Sequence, residues 1–132
     1  MLSGGCHCGS IRYQMPEEVA YHALCHCADC RKASGAPVVA WALAPTDRMT
    51  ITGSPRVYAS SEHGRRHFCD RCGTSLFYTN EVIFPGKTDV QTATLDTPDA
   101  LPLQVQIQTA ERIDWMATAH DLPAFDRYPG PG

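Results

Sequence analysis

Seven cysteines, all in tight clusters, constrain this chain more than any other feature. "CHC" spans 6–8, "CHCADC" spans 25–30 and "CDRC" spans 69–72, and no cysteine stands alone. An odd number of thiols cannot all pair within one chain, and Cys6 and Cys8 are too close in sequence for an easy mutual bridge. The N-terminus "MLSGGCHCGS" has no apolar leader, so the default compartment is the cytoplasm, where thiols stay reduced. Under those conditions clustered C-x-C and C-x-x-C read as metal ligands rather than disulfides. Buried structural thiols with one redox pair are the bland alternative, but buried free cysteines need not cluster.

The spacing divides the seven. A structural zinc wants four ligands in a tetrahedron. "FCDRCG" has the form of a zinc knuckle, a tight turn whose amides point at the sulfurs, closed by Gly73, which can take a positive φ. "CHCG" at 6–9 has the same shape, closed by Gly9. Together these turns supply Cys6, Cys8, Cys69 and Cys72 to one structural site. Cys25, Cys27 and Cys30 are left for a second zinc, which has one open position. Open positions are where zinc does chemistry. Three thiolates make the metal a poor Lewis acid toward water and a better host for a soft fourth ligand, such as an incoming thiol. The other reading of this cluster is a second structural site closed by a histidine. His26, flanked by two of the cysteines, is expected to point away from the metal.

The remaining composition sets limits. A chain of 132 residues with 43% apolar content fits one domain spanning 1–132 with one modest core. A net charge of -3 argues against a nucleic-acid binder. No apolar run approaches the ~18 residues of a membrane span. The tail "YPGPG" at 128–132 reads as a frayed end. Nothing in the sequence specifies an oligomeric state.

The local patterns predict a mostly β protein. Strands are expected over 10–15, 19–24, 38–44, 49–53, 56–60, 74–79, 90–95 and 103–109, rich in β-branched and aromatic residues and broken by Gly, Pro and Asp. "CADCRKAS" at 27–34 has the length of a short helix, ended by Gly35 and Pro37, and its first amides would face the thiolates. "RR" at 65–66 reads as a solvated loop. The architecture expected is folded-over sheets of short antiparallel strands, with zinc tying distant turns together.

"GGCHCGSIRY", "CHCADCRKASGAP", "FCDRCGTSLFY", "TLDTP" and the late "W…LPAFDRYP" resemble, in that order, the glutathione-dependent formaldehyde-activating enzyme family, also called the centromere-protein-V family. The resemblance runs from about Gly4 to Pro129. It implies an Mss4-like fold of twisted antiparallel sheets with short helical segments. It also implies a structural zinc on Cys6, Cys8, Cys69 and Cys72, and a second zinc on Cys25, Cys27 and Cys30. The activity implied is that of a carbon–sulfur lyase, which joins glutathione and formaldehyde as S-hydroxymethylglutathione. Small thiol and aldehyde substrates follow from it. The alternative function is a zinc-stabilised binding or chaperone module without turnover. Where typical members carry a His upstream of the late Trp, this chain has Gln106, in "LQVQIQTAERIDW".

Other residues are weighed individually. Arg31, Lys32, Arg65 and Arg66 are the candidates for glutathione carboxylates, although each also reads as surface charge. Trp41 is expected in the core with a partner for its N–H. Trp115 is also expected in the core, with a wall of the site as its other role. His63 and His67 read as loop histidines, with a proton-transfer role as the alternative.

Overall fold

A computed structural model describes residues 1–130 of the chain. The chain runs through β1 (Leu2–Gly5), β2 (Arg12–Met15) and β3 (His22–Cys25) into the helix α1 (Ala28–Ser34). It continues through β4 (Val39–Pro45), β5 (Thr50–Thr52), β6 (Arg56–Ala59), β7 (Gly64–Phe68), β8 (Ser75–Asn80), β9 (Lys87–Gln91) and β10 (Val105–Ile107). Short 3-10 turns join the strands, and three more follow β10. The mostly β expectation is met. Two sheets form, one ordered β1-β2-β5 and one ordered β10-β3-β4-β9-β8-β7-β6.

Alternation along the strands explains how two faces are buried. Ala42 and Ala44 of β4, Phe77 of β8 and Val90 of β9 pack with Ile11, Tyr13 and Met15 into the main core, which joins the two sheets. Tyr13 meets Phe77 edge-on at 5.2 Å. The intervening residues face the other way. Val39 and Trp41 pack with Cys25 and Cys30 in a second, smaller cluster. On this second face Arg66, Tyr78 and Asp89 form a row across three strands, since Arg66 is opposite Tyr78 and Tyr78 is opposite Asp89.

Several expectations need correction. The segment "GRRHF" is not a loop but β7, paired with β6 on one side and β8 on the other. Its charges hid the alternation. Arg65 caps the preceding turn by donating to the carbonyls of Ser61 and Glu62, whereas Arg66 turns inward and is 9% exposed. The strand expected at 90–95 ends at Gln91 and becomes a 3-10 turn at Thr92–Thr94. β10 joins β3 in parallel, so the large sheet is not purely antiparallel. β1, with Ser3, Gly4 and Gly5 after Leu2, carried no strand signal. Trp115 is 57% exposed and not in the core. Residues 128–130 are exposed and irregular, while Pro131 and Gly132 lie outside the described residues. No described helix is long and apolar enough to cross a membrane.

Candidate functional site

Two turns of matching geometry bring four sulfurs together. In the first, Cys6 N donates to Ile11 O and Gly9 N to Cys6 O; in the second, Cys69 N donates to Thr74 O and Gly73 N to Cys69 O. Gly9 and Gly73 both sit at φ 82°, a left-handed conformation that a side chain would disfavour. His7 N donates to Thr74 Oγ1 and pins one turn to the other. The ligand atoms of Cys6, Cys8, Cys69 and Cys72 all lie within 4.8 Å of one another. Cys6 and Cys8 are 3.6 Å apart at sulfur, and Cys8 and Cys69 are 3.8 Å apart. Sulfurs on the corners of a tetrahedron with arms of ~2.3 Å stand about 3.8 Å apart, so the donor set fits zinc.

The surroundings favour the thiolate at Cys6 and Cys72, while the Cys8 thiol is shifted up. Burial raises the Cys6 thiol, but the Ile11 amide and the Ser10 hydroxyl outweigh it and bring it down to about 7. Ile11 N lies 3.2 Å from the Cys6 sulfur. Cys72 falls to about 5, chiefly through the Thr74 hydroxyl at 3.3 Å and the Thr74 amide. Ser10 Oγ lies within 3.7 Å of Cys6, Cys8 and Cys69.

The second cluster is local. Cys25 ends β3, Cys27 caps α1 by accepting from Cys30 N at 3.3 Å, and Cys30 is the buried residue of the helix. Their sulfurs also lie within 4.8 Å of one another, and no fourth Cys, His, Asp or Glu joins them among the described residues. Cys30 is the most acidic thiol of the three. The Cys25 thiol donates to it and is the main reason it drops to about 5, while burial opposes this and hydrogen bonds from Cys27, the Trp41 indole and Arg66 assist. Cys25 is pushed up in turn, first by that bond and then by burial. Three sulfurs within 4.8 Å of one another form a donor set suited to a soft cation.

A cavity of about 300 Å³ opens beside these sulfurs. Trp41 and Phe84 give it apolar walls, while Tyr21, Arg66, Tyr78 and Asp89 bring polar groups into it. The Arg66 guanidinium lies over the Tyr78 ring at 5.0 Å, with Nη2 3.9 Å from the Cys30 sulfur. Tyr21 donates its hydroxyl to Asp89 Oδ2 at 2.9 Å. Burial pushes the Asp89 carboxyl up to about 7, partly offset by the Tyr21 bond. Tyr21 is raised well above the usual phenol range, first by burial and then by Asp89. A second cavity of about 280 Å³ adjoins the first through Asp29, Arg66 and Tyr78, and adds Lys32.

The other candidates separate clearly. Lys32 and Arg66 face the cavities, whereas Arg31 holds loops by donating to the carbonyls of His26 and Glu111. Arg65 is committed to its turn. Trp41 is buried as expected, packed with Cys25 and Cys30. His63 is exposed beside Glu62, and His67 pairs with Thr79 at 3.2 Å; neither lines the three-cysteine cavity. His26 is buried and takes no part in the cluster, and its Nε2 donates to Gln106 Oε1 at 2.8 Å. Gln106 therefore stands beside a histidine rather than replacing one at the sulfurs. Sequence reasoning missed Asp89, Tyr21 and Tyr78. The one available signal was an Asp inside the strand-like run "TDVQ", where an acidic residue is out of place unless its face has a use.

Comparison with known proteins decides the relationship. The glutathione-dependent formaldehyde-activating enzyme family matches residues 1–111, which include both cysteine clusters and every lining residue of the first cavity. The chain belongs to that family. A Halomonas elongata protein provisionally named for the same activity is 27% identical over 129 residues, covering 88% of this chain and 80% of that one. An uncharacterized lyase of Schizosaccharomyces pombe is 33% identical over 79 residues, 58% of either chain. A crystal structure of a Rhodobacter sphaeroides protein shares the fold, with a TM-score of 0.59 at 20% identity, covering 80% of this chain and 99% of that one.

Proposed function

We propose that this family member is a zinc-dependent, carbon–sulfur lyase-type enzyme that joins a small thiol, glutathione, to formaldehyde or a related aldehyde, and that can run the cleavage in reverse. The observation that carries this reading is the three-sulfur cluster beside a cavity, with no fourth protein ligand among the described residues. Cys6, Cys8, Cys69 and Cys72 hold a structural zinc, and Cys25, Cys27 and Cys30 hold the second. A metal there supplies an open coordination position and lowers the pKa of a thiol bound at it.

The chain's own residues do the rest. Trp41 and Phe84 shield the reacting carbon from bulk water, which strengthens every polar contact inside. The adjoining cavity suits the ends of a zwitterionic peptide: Lys32 matches a carboxylate, and Asp29 matches an ammonium group. The names of the Halomonas and yeast relatives agree with this reading.

Exchange spectroscopy of glutathione with formaldehyde tests it. The intact protein is expected to accelerate exchange over buffer alone, and Cys30→Ser is expected to lose the acceleration. Equal rates in all three samples, with zinc verified at the second site, would favour a binding module instead.

A further inference from the structure

Among the described residues, three buried side-chain atoms lack a hydrogen-bond partner: His26 Nδ1, Arg66 Nη1 and Asp89 Oδ1. Buried polar groups are normally satisfied, so such exceptions call for an explanation. Here all three fall around one cluster. His26 lies between two of its cysteines, and Arg66 and Asp89 line its cavity. The last two are complementary, since one is an unused donor and the other an unused acceptor. They stand on the same cross-strand row with Tyr78 between them, about 10 Å apart at the backbone for two strand spacings. Arg66 is anchored over Tyr78, and Asp89 is anchored by Tyr21, so both heads are held while one atom of each stays free.

A hydroxyl group is what satisfies an unused donor and an unused acceptor together. The addition of a thiol to an aldehyde turns a carbonyl oxygen into such a group. We propose that Asp89 and Arg66 form the oxygen site of this cavity, with Arg66 Nη1 donating to the substrate oxygen and Asp89 carrying its proton. This assignment rests on the thiol–aldehyde reading above. The thiol's proton passes to the Asp89 carboxylate as its sulfur bonds to the carbonyl carbon. The C=O π pair moves onto the oxygen, which Arg66 holds, and Asp89 returns the proton there. Atoms and charge balance, Asp89 is regenerated, and the reverse cleavage retraces the same path. Tyr21 is a positioning residue, which holds the carboxyl through Oδ2 and leaves Oδ1 without a partner.

The electrostatic setting supports a proton carrier. Facing Asp89 across the cavity are Tyr21 ahead of β3, Cys25 of β3, and Cys27, Asp29 and Cys30 of the helix segment. Arg66 of β7 and Tyr78 of β8 complete the ring. With burial as the main cause, the carboxyl is poised near neutrality, where a group can both accept and release a proton.

The test compares the zinc-loaded wild type, Asp89→Asn and Tyr21→Phe in glutathione–formaldehyde exchange from about pH 5 to about pH 9. The wild-type rate should fall toward acid as the carboxylate is protonated. Asp89→Asn should be slower by about 100-fold and lose that acid limb while keeping the wild-type zinc content. Tyr21→Phe should keep the limb at a displaced pH. Infrared difference spectra should show one carboxyl band titrating near neutrality in the wild type and absent in Asp89→Asn. Wild-type rate and pH profile in Asp89→Asn, with Cys30→Ser inactive, would overturn this assignment and leave the thiol–aldehyde reading standing. A wild type no faster than buffer would overturn both. Should Asp89→Asn fail to fold, the wild-type spectra decide alone, and no carboxyl titrating in that range would overturn the assignment.

Discussion

The two cysteine clusters use the same side chain for opposite ends. Cys8 and Cys69, neighbours at sulfur, are 61 residues apart in sequence. Their site draws one turn from the end of β1 and one from the β7–β8 connection, and Cys6 and Cys69 belong to the main core. Cys25, Cys27 and Cys30 instead lie within one short segment, packed with Val39 and Trp41 in the smaller hydrophobic cluster. A metal that closes long loops contributes folding free energy, whereas one held by a local segment leaves the fold to the rest of the chain. On the proposed two-zinc reading, ligand spacing along the chain, more than ligand count, separates a metal that builds the fold from one that works in it.

The largest expected effect breaks the comparison at its stronger end. Cys69→Ser removes a buried ligand from the site that joins the two sheets. Structural zinc contributes about 10–16 kcal/mol in small zinc domains, as much as the whole net stability of a typical domain at ~5–15 kcal/mol. Cys69→Ser should therefore be unfolded or insoluble, and Cys27→Ser should remain folded with a modest drop in Tm. Thermal melts of the two variants check this, and a lower Tm for Cys27→Ser would reverse the roles of the sites.

Chelation should separate the sites in one sample. The cluster with three protein ligands should release its metal first, with little change in the far-ultraviolet circular dichroism. Loss of the second equivalent should coincide with unfolding. Simultaneous loss of both, with a single unfolding step, would mean that the two clusters are energetically one unit.

The partition of the seven thiols was legible because it is written in local spacing. A C-x-C or C-x-x-C turn followed by glycine has the same meaning wherever it falls, and Gly9 and Gly73 share the expected positive φ. The helix expected at 27–34 was legible through its length and the Gly35 that ends it, and Cys27 proves to be its N-cap. Arg66 and Asp89 were not, because their meaning comes from register. Only the pairing of β7, β8 and β9 puts them on one row above the sulfurs, and neither residue has a local partner to announce it. The parallel seat of β10 beside β3 depends on a long return of the chain that no local pattern encodes.

Asp89 distinguishes the two regions through pH, with a smaller effect. Its folded-state pKa, about 7, is raised above the ~3.9 of an unfolded Asp. The folded state then holds a proton that the unfolded state releases. The stability tied to that proton is fully present below about pH 4 and is lost as pH rises through about 7. At about 1.4 kcal/mol per pH unit, the loss is a few kcal/mol at most. Asp89→Asn should therefore gain on the wild type in Tm as pH rises from about 5 to about 8. A Tm difference that stays constant with pH would mean that Asp89 is ionised throughout. In the four-cysteine site Cys6 and Cys72 move the other way while Cys8 moves up, so that region has no single direction of pH dependence.

The smallest effects come from the glycines that shape each cluster. Gly73 closes the knuckle of the four-cysteine site at φ 82°, and Gly35 ends the helix of the three-cysteine segment at φ 66°. A Cβ added at either would meet nothing within 4 Å, so neither substitution creates a clash. What alanine costs there is the left-handed backbone alone, about 1–2 kcal/mol. Gly35→Ala should lower the unfolding free energy by that amount and leave zinc affinity unchanged, because Gly35 N bonds to Arg31 O, away from the sulfurs. Gly73→Ala has the same intrinsic cost, but its amide bonds to Cys69 O, the carbonyl of a ligand residue. If the knuckle must hold its shape for the sulfurs to meet, Gly73→Ala should also weaken zinc binding at the structural site. Denaturant melts and a zinc competition assay on the two variants separate these terms. Equal stability losses with equal zinc affinities would show that the turn tolerates distortion, and that the pairing of Cys69 N with Thr74 O is enough to place the ligand.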